Sequence, residues 1–400
     1  MWNRRTVLKT ATLAALAPLR PAFAEGMPGI TATEIKIGNT MPYSGPVSSY
    51  GVIGKQHAAH FRMINDRGGI NGRKIDFISL DDGYSPPRTL EQTRRLVEEE
   101  GVAFMFQGLG TPTQTAVRPY LNAKGVPQLF LSSGAGKWAD PQHYHWTMGF
   151  IPSYQTESAI YGKYILQQKP DAKIGVLYQN DDFGKDYLVG LREGLGERYG
   201  RIVVEEVSYE VTDPTVESQV VTLKLAGADV LITAANPKFV AQAIRKLAEL
   251  DWKPLHIVTN VSTSIGGVLV PAGLKNSVGL ISTIFVKDNS DPQWANDPGM
   301  KEWRAFMKAY LPDADMSDNN YVGPYSIDVA LVQVLRQCGN DLSRANIMRQ
   351  AANLHDLELP TTLPGIKATT SPTNYRPIRS LEMIRFNGKS WELFGPVITT

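Results

Sequence analysis

The sequence predicts a doubly wound α/β fold built as two lobes, and three observations lead to this prediction. Strand patterns and helix patterns alternate over most of the 400 residues. About 375 residues remain once a removable leader is set aside, which is more than one ordinary hydrophobic core holds. The single cysteine, Cys338, excludes an internal disulfide. Each lobe must therefore be held by its own packed core.

The predicted elements follow one another in a regular order. Strands are predicted where polar and apolar residues alternate, or where a short apolar run indicates a strand buried on both faces of a parallel sheet. Glycine and asparagine turns end several of the helices, as at residues 67–72. The predicted strands cover residues 34–38, 74–80, 102–106, 128–131, 173–178, 202–209, 230–233 and 256–259. One predicted helix ends near Asp66, and the others cover about 90–100, 114–123, 153–167, 185–198, 217–226 and 237–250.

The first 24 residues have the pattern of a cleavable export signal. A basic head over residues 3–9 precedes a stretch rich in Ala and Leu, and an A-x-A pattern closes the segment at residues 22–24. The pair Arg4 and Arg5 favours the twin-arginine route, with general secretion as the alternative. The apolar stretch is shorter than the roughly 20 residues that span a bilayer. We therefore expect a soluble periplasmic protein.

The charge of the chain argues against nucleic acid and anionic membranes as partners. The formal net charge is +2 at pH 7, and loss of four basic residues with the leader leaves about −2. A binding face for phosphates needs a basic excess that this chain lacks. We expect a small-molecule ligand, no cofactor and a monomer.

No repeat or low-complexity linker separates the two lobes. Several short crossings would instead form a hinge, with candidates at residues 148–152, at 279–284 and near Arg379. The resulting assignment is residues 25–150 and 281–379 for the first lobe, and residues 151–280 and 380–400 for the second.

Short motifs follow one another in a specific order along almost the whole chain after the leader. They are Ser44-Gly45-Pro46, residues 64–73, Asp81-Asp82, residues 108–115, residues 125–127, Ser132-Ser133-Gly134-Ala135, residues 178–184 and residues 227–230. On these motifs the chain resembles the periplasmic leucine/isoleucine/valine-binding proteins, the solute-binding components of branched-chain amino-acid-type ABC importers. The resemblance implies two α/β lobes joined by three crossings, which close around a ligand and deliver it to a membrane permease.

Two loops at strand ends form the predicted polar part of the site. Ligands of open α/β sheets bind beyond the carboxyl ends of strands, where helices begin with unpaired N–H groups. Amides and hydroxyls in two such loops can hold a carboxylate without Lys or Arg. We predict a clamp of Thr111, Ser132, Ser133, Gly134 and Ala135. Ordinary turns with capping hydroxyls are the alternative.

Aromatic side chains form the predicted apolar part of the site. The resemblance implies that Tyr50 packs on the ligand side chain, and Phe183 lies in the corresponding loop of the other lobe. Tyr154 follows the first crossing, and Tyr321 or Tyr325 would complete the wall. A structural role is the alternative for each of them.

The loop after the predicted strand 256–259 departs from the family pattern. Amino-acid-binding relatives supply a carboxylate there for the ammonium of the ligand, whereas residues 260–264 contain no acid. Asn236 and Asn260 offer neutral hydrogen bonds instead, and Asp181 or its neighbour Asp182 stays an open alternative. A buried ammonium without a partner costs several kcal/mol. We therefore predict a carboxylate with an apolar or aromatic body, with a hydrophobic amino acid as the alternative.

Other classes of function fit the sequence less well. The G-x-S-x-G elbow, the phosphate-binding loop and the full dinucleotide fingerprint are missing, which argues against an enzyme. A sensor module would need an external signalling partner. Histidine pairs are interpreted as exposed or capping rather than metal-binding, and one aromatic and acidic region as surface insertions. These features are His57 with His60, His143 with His145, residues 294–303 and residues 313–318.

Overall fold

The structure is a computed structural model that describes residues 27–399. The predicted export signal, residues 1–24, lies outside the described residues. The first sheet has five strands, all parallel, in the order β2-β1-β3-β4-β5. Its strands are β1 Glu34–Met41, β2 Lys74–Asp81, β3 Phe104–Phe106, β4 Gln128–Leu131 and β5 Thr147–Gly149.

The second sheet has seven strands in the order β12-β11-β10-β9-β8-β6-β7. Strands β7, β6, β8, β9 and β10 run parallel to one another. Strand β11 pairs antiparallel with β10, and β12 pairs antiparallel with β11. Its strands are β6 Ile174–Gln179, β7 Val203–Tyr209, β8 Val230–Ala234, β9 Leu255–Val258, β10 Ile281–Ile284, β11 Ser380–Phe386 and β12 Trp391–Thr399. The two mainly parallel sheets confirm the predicted fold class.

Helices connect and cover the strands. Between residues 27 and 399, none of them combines the length and the apolar character needed to cross a membrane. The helices are α1 Gly51–Asp66, α2 Pro86–Arg94, α3 Thr111–Ala123, α4 Tyr154–Gln168, α5 Asp182–Leu195, α6 Tyr199–Ile202, α7 Glu217–Leu225, α8 Pro237–Glu249, α9 Val270–Ala272, α10 Pro298–Tyr310, α11 Val322–Gln337 and α12 Arg344–Ala351.

The chain passes between the two sheets three times, after β5, after β10 and before β11. Helices α10 and α11, which follow the second passage, pack on α1 beside the first sheet. Strand β10 pairs antiparallel with β11 inside the seven-stranded sheet. Strand β10 therefore belongs to the seven-stranded sheet as far as Ile284, and the lobe boundaries stay a prediction.

The pair His57 and His60 corrects one prediction, because both side chains are buried rather than exposed or capping. They lie on α1 where it packs against α11. His57 Nδ1 lies 2.7 Å from Oδ1 of Asp328, which is buried as well. The partner is 271 residues away in the sequence, so no local pattern indicates it. In the other pair, His143 is exposed, as predicted, and its ring hydrogen-bonds to Asp140.

The region from residue 294 to residue 318 corrects a second prediction, since it is not simply a surface insertion. Trp303 on α10 is fully buried, and its Nε1 donates to the carbonyl of Tyr321 at 2.9 Å. At the acidic end, Asp318 is buried and accepts a hydrogen bond of 2.7 Å from Ser264 Oγ. The tryptophan belongs to the core of the first lobe, and the aspartate contacts the second lobe.

Candidate ligand-binding cleft

A cavity lies between the two sheets at the carboxyl ends of β3, β4, β8 and β9. It spans about 950 Å³, part of which is open solvent at its mouth. Both sheets direct strand-to-helix loops toward it, the arrangement in which open α/β sheets bind ligands. The sequence placed its candidate loops at these same strand ends.

Seven of the eleven predicted site residues line this cavity, and they come from both lobes. The lining residues are Tyr50, Thr111, Ser132, Tyr154, Phe183, Asn236 and Asn260. Ser133, Gly134 and Ala135 instead line a smaller neighbouring cavity. Tyr321 lies on the wall of neither.

The position of Ser133 follows from its hydrogen bonds. Its hydroxyl lies 2.7 Å from Thr111 Oγ1 and accepts the indole N–H of Trp138 at 2.9 Å. Gly134 is packed tightly on the ring of Tyr154, since a Cβ at this glycine would meet that ring at 2.8 Å. Burial raises the pKa of Tyr154, while the Gly134 backbone and the Ser133 side chain hydrogen-bond to it and oppose the shift. The amide and hydroxyl of this loop therefore bind Tyr154 and Trp138.

Tyr321 and Tyr325 serve the core of the first lobe rather than the wall of the cavity. The ring of Tyr325 meets the ring of His60 edge-on at 5.0 Å, and its hydroxyl donates to Glu302 at 2.9 Å. The Tyr321 carbonyl accepts from Trp303. Aromatic composition alone does not separate these rings from those that face the cleft.

Direct contacts join the two lobes around the cavity. The hydroxyl of Tyr50 donates to the carbonyl of Val261 at 2.8 Å, and the N–H of Gly266 donates to the carbonyl of Ser317 at 3.1 Å. The bond between Ser264 and Asp318 crosses the same boundary. These bonds hold the two lobes together around the cavity.

Several lining residues were not singled out from the sequence. They follow strand ends or sit in the loop before α11, where no short pattern marks a ligand contact. Gln107 was the most accessible to prediction, because it comes directly after the buried strand β3. The additional polar and aromatic lining residues are Tyr84, Gln107, Thr263, Ser264, Phe285, Asn319 and Asn320.

The wall of the cavity carries no formal charge. Among the described residues, those that line it include no Asp, Glu, Lys, Arg or His. Asp181 caps α5 instead, accepting the N–H groups of Phe183 at 2.9 Å and Gly184 at 3.4 Å. Asp182 pairs with Lys137 of the first lobe. Neither Asp181 nor Asp182 is on the cavity wall. The alternative that one of them pairs with the ammonium group of a ligand therefore gains no support.

A family model described as periplasmic binding protein matches residues 34–390. The match includes every residue that lines the cavity. The chain belongs to the periplasmic binding protein family. The family and its Leu/Ile/Val-binding homologues support a solute-binding role for this periplasmic binding protein in an ABC importer.

Curated relatives and solved structures agree with the family. The Leu/Ile/Val-binding protein homolog 7 of Brucella abortus (strain 2308) is 26% identical over 355 residues, which is 84% of each chain. A branched-chain amino acid ABC transporter protein from Thermus thermophilus with bound valine superposes with a TM-score of 0.82 at 14% identity, covering 93% of this chain and 98% of that one. A solute-binding protein from Rhodopseudomonas palustris BisB5 in complex with 3,4-dihydroxybenzoic acid gives 0.75 at 17% identity, covering 92% and 97%. These two structures establish the fold.

One carboxylate of the second lobe lies close to the cavity of this periplasmic binding protein without lining it. Glu157 on α4 is fully buried. It accepts the backbone N–H of Asn260 at 2.8 Å, the hydroxyl of Tyr187 at 2.7 Å and the hydroxyl of Tyr161. Burial is the largest influence on its pKa and raises it to about 7, although these hydrogen bonds act in the opposite direction. Glu157 therefore fixes the loop that presents Asn260.

Proposed function

We propose that this periplasmic binding protein captures a small carboxylate with an apolar or aromatic body and delivers it to a membrane ABC permease. It acts in the periplasm as a monomer, after removal of a leader near Ala24. The uncharged wall of the cavity carries the proposal. An amino acid brings an ammonium group, and enclosing that group without an acid costs several kcal/mol. A carboxylate has no such requirement, because amide and hydroxyl donors suffice for it.

The carboxylate end of the ligand belongs beside the start of α3. Thr111 is the first residue of that helix, and it lines the cavity together with Ser132. The first N–H groups of a helix have no acceptor within the helix and carry a partial positive charge. Hydroxyls and amides at this position provide the donors that a carboxylate needs.

The body of the ligand belongs among rings and aliphatic side chains. Tyr50, Tyr154, Phe183 and Phe285 supply rings, and residues such as Ile53 supply aliphatic surface. The two solved relatives carry valine and 3,4-dihydroxybenzoic acid, so the same fold takes both classes. The uncharged wall favours the aromatic acid, and a branched-chain amino acid is the second candidate because the curated relatives are named for such ligands.

Calorimetric titration of the purified protein separates the two candidates. We expect binding of benzoate and 4-hydroxybenzoate, and weaker or undetectable binding of valine, leucine and phenylalanine. Benzyl alcohol, which keeps the ring and lacks the carboxylate, should bind much more weakly than the acid. Tight binding of leucine or valine without binding of any aromatic acid would contradict the proposal.

The substitution Thr111→Val tests the position of the carboxylate. It keeps the shape of the side chain and removes the hydroxyl, so we expect affinity for the acid to fall about tenfold. Thr222→Val is the matched control, because Thr222 is exposed on α7 and its hydroxyl donates only to the Ser218 carbonyl at 3.0 Å. Equal affinities for the two variants would place the carboxylate elsewhere.

A further inference from the structure

Gln107 occupies an unusual position at the edge of the cavity. It follows β3 directly, is fully buried and belongs to the cavity wall. Its backbone adopts a φ of 53°, in the left-handed region that favours glycine. Asn39 Nδ2 holds this conformation by donating to the carbonyls of Phe106 at 2.8 Å and Gln107 at 3.1 Å. Strained backbone of this kind persists where the surroundings hold it, often at ligand sites.

The orientation of the Gln107 amide is also fixed. Its Nε2 donates to the carbonyl of Phe130 on the neighbouring strand β4. Rotating the amide by half a turn would place two oxygens against each other, so the nitrogen must face this carbonyl. The remaining atom, Oε1, is buried and has no hydrogen-bond partner among residues 27–399. A buried acceptor without a donor is unfavourable and uncommon.

We infer that Gln107 is a specificity-determining residue whose Oε1 accepts a hydrogen bond from a donor group on the body of the ligand. This inference rests on the proposed function and narrows it, from aromatic acids in general to acids whose ring carries a hydroxyl. The loop from Gln107 to Thr111 then serves both ends of the ligand. Thr111 donates toward the carboxylate, and Gln107 accepts from the hydroxyl.

The chemistry of the pairing explains how such a site would discriminate. A hydroxylated acid satisfies Oε1 when the lobes close over it. An acid without the hydroxyl leaves Oε1 buried and unpaired, and sites built to bond a hydroxyl reject the analogue that lacks it. The discrimination lies in the ratio of the two affinities, which a general loss of stability does not change.

The experiment compares benzoate with 3-hydroxybenzoate and 4-hydroxybenzoate by calorimetry, in the wild type, in Gln107→Met and in a control. Methionine matches glutamine in length and cannot accept in the same way. Gln114→Met is the control, because Gln114 is a buried amide of the same lobe that donates to Thr40 Oγ1 at 3.3 Å and is not on the cavity wall. We expect the wild type and the control to prefer one hydroxybenzoate over benzoate about tenfold or more. In Gln107→Met the ratio should fall to about one.

The possible results separate the role of Gln107 from the proposed binding of aromatic acids. Equal wild-type affinities for benzoate and both hydroxybenzoates would overturn the inference and leave the proposed function standing. A preference that persists in Gln107→Met would also overturn it. Binding of leucine or valine with no binding of any benzoate would overturn both. The wild-type ratio suffices for the first of these tests even if Gln107→Met fails to fold.

Discussion

The two lobes contribute different chemistry to the same cavity. The first lobe presents hydroxyls at Thr111 and Ser132, close to the start of α3, on loops that follow short buried strands. The second lobe presents the amides of Asn236 and Asn260, while its buried carboxylate, Glu157, bonds to the backbone of the Asn260 loop. An acid in the second lobe is thus used to hold a loop rather than to meet a ligand. The comparison favours the first lobe for the charged end of a ligand, whereas the body of the ligand would meet side chains of both lobes.

Removing the acid of the second lobe should have the largest effect. Glu157→Leu leaves the N–H of Asn260 and the hydroxyls of Tyr161 and Tyr187 without their buried acceptor. We expect the free energy of unfolding to fall by about 3 kcal/mol or more, measured by chemical denaturation. Glu193→Leu, at an exposed position on α5, should change it by less than about 0.5 kcal/mol. Similar losses for both would remove Glu157 from its structural role.

The pH dependence of stability tests the same residue. The pKa of Glu157 is about 7 in the folded protein and 4.5 without perturbation. A raised acid pKa stabilises the folded state fully below about pH 4.5, and this contribution is lost as the pH rises toward 7. Relative to Glu157→Gln, which does not titrate, the wild type should lose about 3 kcal/mol between pH 4.5 and pH 8. A constant difference between the two proteins across this range would contradict the prediction.

Placing a carboxylate on the wall of the second lobe should reverse the preference of the cavity. Asn260→Asp puts a negative charge where the neutral amide now lines the cleft. We expect binding of benzoate-type acids to weaken about tenfold and binding of valine or leucine to become measurable by calorimetry. Asn353→Asp, at an exposed site, should leave the preference unchanged. Unaltered binding in Asn260→Asp would show that this loop does not meet the ligand.

The smallest expected effect comes from a bond that joins the lobes directly. Tyr50→Phe removes the hydroxyl that donates to the Val261 carbonyl, a bond that joins the two lobes. We expect affinity to fall about threefold to tenfold, with less compaction at a given ligand concentration in X-ray scattering. Tyr310→Phe loses an exposed hydroxyl that bonds to Asp66 within the first lobe. It should behave like the wild type, and identical behaviour of both variants would exclude Tyr50 from closure.

The parts of the molecule that local patterns determine were predictable. The alternation of strands and helices indicated both sheets, and strand-end loops indicated Thr111, Ser132 and Asn260. Residues whose environment depends on distant partners were not predictable. The burial of His57 depends on Asp328, which lies beside it. The residues around Glu157 on α4 do not indicate that its carboxylate accepts the N–H of Asn260. Ser132 lines the main cavity and Ser133 does not, although the two are adjacent in the sequence. The difference depends on a distant contact as well, because the ring of Tyr154 packs on the neighbouring Gly134.

The open edge of the seven-stranded sheet has a consequence for the protein at high concentration. Strand β12 forms that edge, and an exposed edge invites a strand from another molecule to add to it. Gly395 and Pro396 lie within β12, and its pairing with β11 shifts register between Leu381 and Met383. Proline has no N–H to donate, and the irregular register bends the strand. The edge therefore offers a poor template for β-sheet aggregation in a crowded compartment.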